Sequence, residues 1–260
     1  LVALIKALFW PARRFGGKAN FSPDDILTVI FSSGTTAEPK GVLLSHHNIL
    51  SNTESFGTIL RFTRNDRLCA ALPFFHSFGF TCTLWFPVIA GFRVVHHPNP
   101  LEGDRIAQIV RENMCTVLLA TPTFLLTYIR RARTEDFVSL RAVITGAEKL
   151  RSRTAEAFTK KFTLAPLEGY GVTELSPVVS VNIPDVNLGG VLQRGTKSGT
   201  IGQPIPGVAV KVVGGDGTTP LPPDEEGLLL VKGPNVMRGY LGKPAKTAEV
   251  IRTGWYETGD

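Results

Sequence analysis

The sequence predicts a layered α/β domain with a mainly parallel sheet, followed by a small β-rich subdomain. Two patterns and one quantity lead there. Between about residues 25 and 180, apolar runs of strand length alternate with helix-like stretches, the pattern of βαβ units and of parallel strands covered by helices. Beyond about residue 190 the helices give way to glycine-punctuated loops and alternating strands. The chain has 260 residues, 43% of them hydrophobic, enough apolar mass to pack one large domain or two modest ones.

Residues 1–21 stand apart as a basic, apolar connector arm. Its apolar run ends at Trp10 and contains Lys6, too short for a bilayer span of about 20 residues. An interfacial helix with Trp10, Arg13 and Arg14 at headgroup level fits the arm, and a plain connector fits it equally. Lys6, Arg13, Arg14 and Lys18 precede the first acidic residue, Asp24, so the arm holds +4 of the net +6. Peripheral membrane contact through it is expected to be weak and salt-sensitive, at about 1 kcal/mol per basic residue.

Residues 22–190 carry the α/β pattern and are read as one domain, with strands expected at 27–31, 68–72, 94–96, 117–120 and 142–145. The run Val29-Ile30-Phe31 reads as buried. Ser45 opens a helix in which Ile49, Leu50 and Thr53 share a face. Asp104 reads as the N-cap of another, with Ile106, Ile109 and Val110 on one side. Residues 191–260 form the β-rich subdomain, with strands at 208–213 and 228–232 and turns at Gly214-Gly215 and Pro222-Pro223.

The +2 left outside the arm comes with no RNA- or DNA-binding signature, so nucleic acid is not an expected partner. Cys69, Cys82 and Cys115 stand far apart in apolar contexts without a C-x-x-C. This points to a reducing compartment and away from a disulfide scaffold or a zinc site. His46-His47 and His96-His97 are adjacent pairs rather than i,i+4 ligands, and no H-E-x-x-H occurs. Oxygen-ligated magnesium remains open.

The chemistry concentrates in one loop. After the run ending at Phe31 come Ser32, Ser33, Gly34, Thr35, Thr36, Ala37, Glu38, Pro39, Lys40 and Gly41. Four hydroxyls, two glycines and a lysine after a strand make a phosphate cradle. Glycines let N–H groups converge on an anion, hydroxyls donate, and the lysine adds a point charge. The loop lacks the Gly-Lys-Ser/Thr of the P-loop, and no G-x-S-x-G elbow for an esterase serine is present.

This segment resembles the Ser/Thr/Gly-rich phosphate loop of the adenylate-forming, or AMP-binding, superfamily, with Ala37 where that family usually has glycine. Three further segments resemble the family's in the family's order. Thr145-Gly146-Ala147-Glu148 is similar to the lining of the adenine pocket. Gly169-Tyr170-Gly171-Val172-Thr173-Glu174 is similar to the second signature, and Gly254-Trp255-Tyr256-Glu257-Thr258-Gly259-Asp260 to the third. The resemblance implies that Tyr170 packs on adenine and that Thr173 meets the α-phosphate. It also implies that Glu174 holds Mg2+ and that Asp260 takes the ribose hydroxyls. ATP and Mg2+ are thus the expected cofactors. A carboxylate attacking the α-phosphate brings two anions together, so catalysis must neutralise charge and hold geometry; Lys40 is the cation for the departing phosphates.

Leu72-Pro73-Phe74-Phe75-His76-Ser77-Phe78-Gly79-Phe80 resembles the segment bordering the acyl site in fatty-acid members, which makes His76 the gate residue near the carboxylate. The wording of Leu44 to Asn52, His97-Pro98-Asn99-Pro100 and Leu167-Glu168-Gly169-Tyr170 is closest to acyl-acyl-carrier-protein synthetases fused to a lysophospholipid acyltransferase. That likeness implies a fatty acid and acyl carrier protein (or coenzyme A) as partners. It also implies a place on the cytoplasmic side, associated with the inner membrane in the full-length protein. Family members continue on both sides of this stretch, into a C-terminal domain that carries a catalytic lysine. The chain is therefore expected to be part of a large N-terminal domain that binds ATP more readily than it turns over. Two alternatives stay open: a coenzyme A ligase for another carboxylic acid, and a non-catalytic nucleotide-binding or membrane-associated module.

Overall fold

The computed structural model describes residues 22–32 and 38–260; the arm and Ser33, Gly34, Thr35, Thr36 and Ala37 of the phosphate loop lie outside the described residues. The chain enters as β1 (Ile26–Ser32) and β2 (Lys40–Ser45), paired antiparallel so that Ser32 faces Lys40 across the base of the loop. This corrects the expected buried run. β1 belongs to a small antiparallel sheet with one face toward solvent, so its residues alternate: Ile30 is buried, whereas Val29 is 37% and Phe31 65% exposed.

Ser45 then caps α1 (His46–Ile59) as expected, accepting from the Asn48 N–H while the Asn48 side chain returns to the Ser45 N–H. Ile49 and Thr53 are buried on its inner face, but Leu50 turns outward. β3 (Arg67–Ala70) follows. Next comes a continuous helical run made of Ser77–Gly79, the π-helical Phe80–Trp85, and Phe86–Ala90. β4 (Arg93–His96), α2 (Gly103–Asn113), β5 (Val117–Ala120), α3 (Pro122–Arg131), β6 (Ala142–Thr145), α4 (Ser152–Phe162) and β7 (Leu167–Gly171) complete the alternation. Asp104 does not cap α2. The cap position is Glu102, without a side-chain bond, and Asp104 sits in the first turn, where its charge still complements the helix dipole.

β8 (Val178–Val181), the hairpin of β9 (Val186–Leu188) and β10 (Val191–Gln193), and β11 (Gln203–Pro204) come next. The main sheet has seven strands in the order β11-β8-β7-β6-β5-β3-β4; β4, β3, β5, β6 and β7 run parallel, and β8 and β11 add on antiparallel. This is the predicted layered α/β arrangement. Both faces of the sheet are covered, which the alternation of each strand makes possible. Leu118, Ala120 and Val143 pack with Ile106, Val110, Leu125 and Phe158 from α2, α3 and α4. Val117, Leu119 and Ile144 pack on the opposite side with Phe56 of α1 and with Cys82 and Phe86 of the helical run.

The last part holds β12 (Ala209–Val213), β13 (Leu228–Lys232), β14 (Gly239–Tyr240), α5 (Pro244–Val250), β15 (Ile251–Arg252) and β16 (Trp255–Glu257). β12, β13, β16 and β15 make a four-stranded antiparallel sheet, the β-rich unit the sequence points to. Three strands from beyond residue 190 pair with the earlier region: β10 completes a hairpin with β9, β11 extends the main sheet, and β14 pairs with β2. A third core joins these parts, with Ile30, Val42, Leu44 and Leu175 against Val231, Met237, Tyr240 and Tyr256.

Candidate active site

The carboxyl ends of parallel strands, where loops open from a rigid sheet, are where α/β folds build their sites. β6 ends in Thr145, Gly146 and Ala147; Ala147 turns the chain at φ +66°, a left-handed conformation unusual for a residue with a side chain. β7 ends at Gly171. A Cβ there would lie 2.0 Å from the Pro177 carbonyl oxygen, so only glycine lets the strand's end fold back so closely. A single 3-10 turn, Thr173–Leu175, then presents Thr173 and Glu174.

Side chains from far along the chain meet these two ends. The buried Ser77 hydroxyl lies 3.1 Å from that of Thr173, which ties the aromatic-histidine segment to the second signature. The Tyr170 phenol donates to Asp260 Oδ2, which ties the second signature to the third. Asp260 is held there by its backbone: its carbonyl accepts from Leu229, and its N–H donates to Thr258 Oγ1 at 3.1 Å. Glu174 is buried, and its Oε1 accepts from the Tyr240 phenol at 2.9 Å. The Lys40 ammonium stands 5.3 Å above the Tyr240 ring, close enough for a cation–π contact. Burial, with the nearby carboxylates, pushes the Tyr170, Tyr240 and Tyr256 phenols well above their ordinary pKa, so all three are protonated donors.

A narrow cleft of about 660 Å³, its open mouth included, runs inward from these groups. Its mouth is formed by His76, Gly146, Ala147 and Gly169 to Gly171, and its inner wall by Phe56, Leu60, Phe62, Leu68, Cys82 and Phe86. The inner end is a packed aromatic cluster: Phe86 lies edge-on to Phe56 at 4.5 Å and to Phe62 at 4.8 Å. Behind Phe62 sits Arg141, 5.2 Å from the ring and paired with buried Asp66 through Nε at 2.7 Å and Nη2 at 2.8 Å. At the mouth, His76 Nδ1 accepts from the Phe78 N–H, which leaves the proton of the neutral ring on Nε2. Desolvation by the cleft wall lowers its pKa below the usual 6.5, so the ring is uncharged at neutral pH.

Of the residues expected from sequence, Lys40, His76, Gly146, Ala147, Gly169, Tyr170, Gly171, Thr173, Glu174 and Asp260 are thus linked by this cleft and its hydrogen bonds. Ser32 stands at the base of the phosphate loop opposite Lys40. Glu148 points elsewhere: it is exposed, does not line the cleft, and accepts from Thr123 Oγ1 at 2.7 Å. The stretch Thr81 to Phe86, apolar enough in sequence for either a pocket wall or plain core, supplies Cys82 and Phe86 to the wall. Sequence reasoning missed Tyr240 and, of the wall, Phe56, Leu60, Phe62 and Leu68, because these become neighbours only through β14 and through α1 packing on the sheet. Among the described residues no group of three His, Cys, Asp or Glu side chains could hold a metal ion. The three cysteines are buried free thiols. A lone carboxylate still fits magnesium, which keeps several waters and takes one or two carboxylates plus phosphate oxygens.

A main sheet covered on both faces, with hydroxyl, amide and carboxylate groups converging at its carboxyl edge, is the architecture of the adenylate-forming enzymes. The chain belongs to the AMP-binding enzyme family, which it matches over residues 8–241. It is 31% identical over 242 residues to a long-chain-fatty-acid–CoA ligase of Bacillus subtilis (strain 168), covering 91% of this chain and 41% of that protein. To a probable 4-coumarate–CoA ligase 1 of Dictyostelium discoideum it is 36% identical over 243 residues, covering 91% and 42%. ATP-bound MatB from Rhodopseudomonas palustris superposes with a TM-score of 0.81 at 29% identity, covering 93% of this chain and 46% of that one. The chain therefore spans about two fifths of the length of the curated relatives it matches.

Proposed function

We propose that this chain is the ATP-binding core of a ligase that joins a fatty acid to AMP and then passes the acyl group to a thiol. The observation that carries this reading is the single cleft whose mouth is built from the adenylate-type signatures and whose inner wall is aromatic and aliphatic. No aspartate or glutamate lines the cleft, mouth included, so an amino acid's α-ammonium, one carbon from the carboxylate, finds no counter-ion, whereas an alkyl chain finds an apolar wall.

In this reading the acid's alkyl chain lies among Phe56, Leu60, Phe62 and Phe86, and its carboxylate stays at the mouth beside His76 and Thr173. Burial of each methylene is worth about 0.8 kcal/mol, which favours long chains until the wall is met. A carboxylate oxygen attacks the α-phosphorus, the bond to the β-bridging oxygen breaks, and pyrophosphate leaves with that electron pair. Thr173 donates to an α-phosphate oxygen, and Lys40 together with the loop hydroxyls at Ser32, Ser33, Thr35 and Thr36 neutralises the departing charge. The neutral His76 ring does not compete as a counter-ion, so it positions the carboxylate rather than trapping it. Glu174 would hold the magnesium ion, which supplies charge neutralisation on the phosphate oxygens. Tyr170, already bonded to Asp260, offers a ring for adenine, and Asp260 exchanges that phenol for ribose hydroxyls.

Two acceptors fit the second half-reaction. Coenzyme A stands in the names of the relatives, and acyl carrier protein follows from the likeness of the segments at 44–52, 97–100 and 167–170 to carrier-protein synthetases. A place on the cytoplasmic side, at the inner membrane, belongs to the same reading; among the described residues no helix is long and apolar enough to cross a membrane. ATP–pyrophosphate exchange by the full-length protein across a panel of acids tests the proposal. Exchange that depends on palmitate supports it, exchange only with benzoate or acetate moves the substrate to another acid, and no exchange overturns it. Adding coenzyme A or carrier protein to the palmitate reaction then identifies the acceptor by the thioester formed.

A further inference from the structure

Tyr240 connects three segments that the sequence presents separately. It lies on β14, buried, between Glu174 of the second signature, Tyr256 of the third, and Lys40 at the end of the phosphate loop. Its phenol has one proton and gives it to Glu174 Oε1 at 2.9 Å. The Tyr256 phenol is buried beside it in the same core, and with the Tyr240 proton committed to Glu174, the Tyr240 oxygen can only accept from such a neighbour. The result is a buried group in which the Tyr240 phenol fixes one oxygen of Glu174 and Tyr256 backs Tyr240. Backbone fixes its far end, because the Glu174 carbonyl accepts from the Met237 N–H at 2.8 Å. A buried carboxylate restrained at one oxygen by a phenol, and in the backbone by β14's neighbour, has little rotational freedom left.

We propose that Tyr240, supported by Tyr256, is the positioning residue that aims the Glu174 carboxylate at the divalent cation accompanying ATP, while its ring carries Lys40 toward the same phosphates. The proposal rests on the reading of Glu174 as the metal-facing carboxylate. One side chain then sets two charges of opposite sign by two separate means, the hydroxyl for the carboxylate and the π face for the ammonium. Phenylalanine removes the first and keeps the second; leucine removes both.

Binding of N-methylanthraniloyl-ATP, followed by fluorescence with saturating MgCl2 and again with EDTA, separates these effects without requiring turnover. The ratio of the two affinities measures the metal's contribution. Tyr240→Phe is expected to lower that ratio about tenfold or more, the size seen when an outer partner of a metal ligand is lost. Its affinity in EDTA should stay within about twofold of wild type, because the ring still faces Lys40. Tyr240→Leu should weaken binding in EDTA as well, and Tyr256→Phe should lower the ratio by less than Tyr240→Phe. A merely structural tyrosine would lower the unfolding midpoint without changing the ratio, so urea unfolding is measured beside each titration. If Tyr240→Phe does not fold, Tyr256→Phe carries the test, and an unchanged ratio there overturns the proposal. A wild-type ratio in Tyr240→Phe, with Glu174→Gln abolishing the metal's contribution, overturns the positioning role and leaves Glu174's role intact. An unchanged ratio in Glu174→Gln overturns both.

Discussion

Asp66 and Arg141 close the inner end of the cleft from behind, and their contribution can be worked out. Asp66 is buried and accepts from Arg141 Nε and Nη2, from Thr116 Oγ1 at 2.7 Å, and from the Thr63 N–H at 2.8 Å. Burial alone would raise its pKa, but the hydrogen bonds and the guanidinium outweigh it and hold the carboxyl at about 2 rather than the ordinary 3.8. That difference corresponds to about 2.5 kcal/mol at 1.36 kcal/mol per pKa step. Arg141 is 39% exposed, so water screens the pair, and about 1.5–2 kcal/mol is expected to survive. The folded pKa is depressed, so this stability is fully present above the unfolded value near 3.8. It is lost as pH falls through about 2, with roughly half gone at pH 3. Urea unfolding of wild type and Asp66→Asn at pH 6, 5, 4 and 3 reads it directly. The free-energy difference should be at least about 1.5 kcal/mol at pH 6 and should shrink by about 1 kcal/mol by pH 3. Two curves that stay parallel over that range would refute the pairing as the cause.

Four shorter predictions follow from the cleft. Gly57 on α1 has room for no side chain, since a Cβ would lie 2.7 Å from Phe86 Cε2; Gly57→Leu should push that ring into the cleft. Pyrophosphate exchange with long-chain acids should then fall at least about tenfold, more than exchange with short ones, each lost methylene site being worth about 0.8 kcal/mol. Lys40→Ala should reduce exchange by about a hundredfold or more while costing the fold only its contact with the Tyr240 ring, about 1 kcal/mol; retained exchange would remove Lys40 from the site. Glu148→Ala should leave nucleotide affinity within about twofold, as its bond is to Thr123 outside the cleft, and a tenfold loss measured by titration calorimetry would bring it back in. His76 carries a pKa below 6.5, so the folded state resists its protonation and stability should fall as pH drops below 6.5. His76→Asn should flatten that part of a stability-against-pH curve.

The alternation of strand and helix was legible because a parallel strand buried on both faces is an uninterrupted apolar run; 117–120 and 142–145 stand where they were expected. The same logic failed at Val29 and Phe31, whose composition matches those runs but whose sheet has one face toward solvent. Composition records how apolar a strand is, and only the elements packed above and below its sheet decide how many of its faces are covered. Hydroxyls, glycines and a lysine crowded into ten residues mark the expected phosphate loop, of which the structure describes the base, Ser32 opposite Lys40. Asp104 was misjudged as a cap because several polar residues near a helix start compete for that place. Tyr240 left no signal at all: its importance comes from β14 pairing with β2 about 200 residues away in sequence. The acceptor was beyond reach for a different reason, since the signatures that bind ATP are common to ligases with different thiols.

Ser77 shows why the two halves of the proposed substrate pair can be held by one rigid unit. It follows His76, at the mouth of the cleft, and opens the helical run that supplies Cys82 and Phe86 to the cleft's wall. Its buried hydroxyl meets Thr173, which lies next to Glu174 on one turn. In the proposed reading, the lip of the acyl chamber and the α-phosphate contact are joined by a hydrogen bond inside the protein, not through the ligands. An acid that fills the chamber sets its carboxylate against a lip whose position relative to Thr173 is already fixed. Orientation of nucleophile and phosphorus is then carried by the fold before either substrate arrives, and two anions are brought together without a search. The same connection makes chain length and reaction rate separable only in part: a change deep in the wall that tilts the helical run also moves Ser77, and through it Thr173.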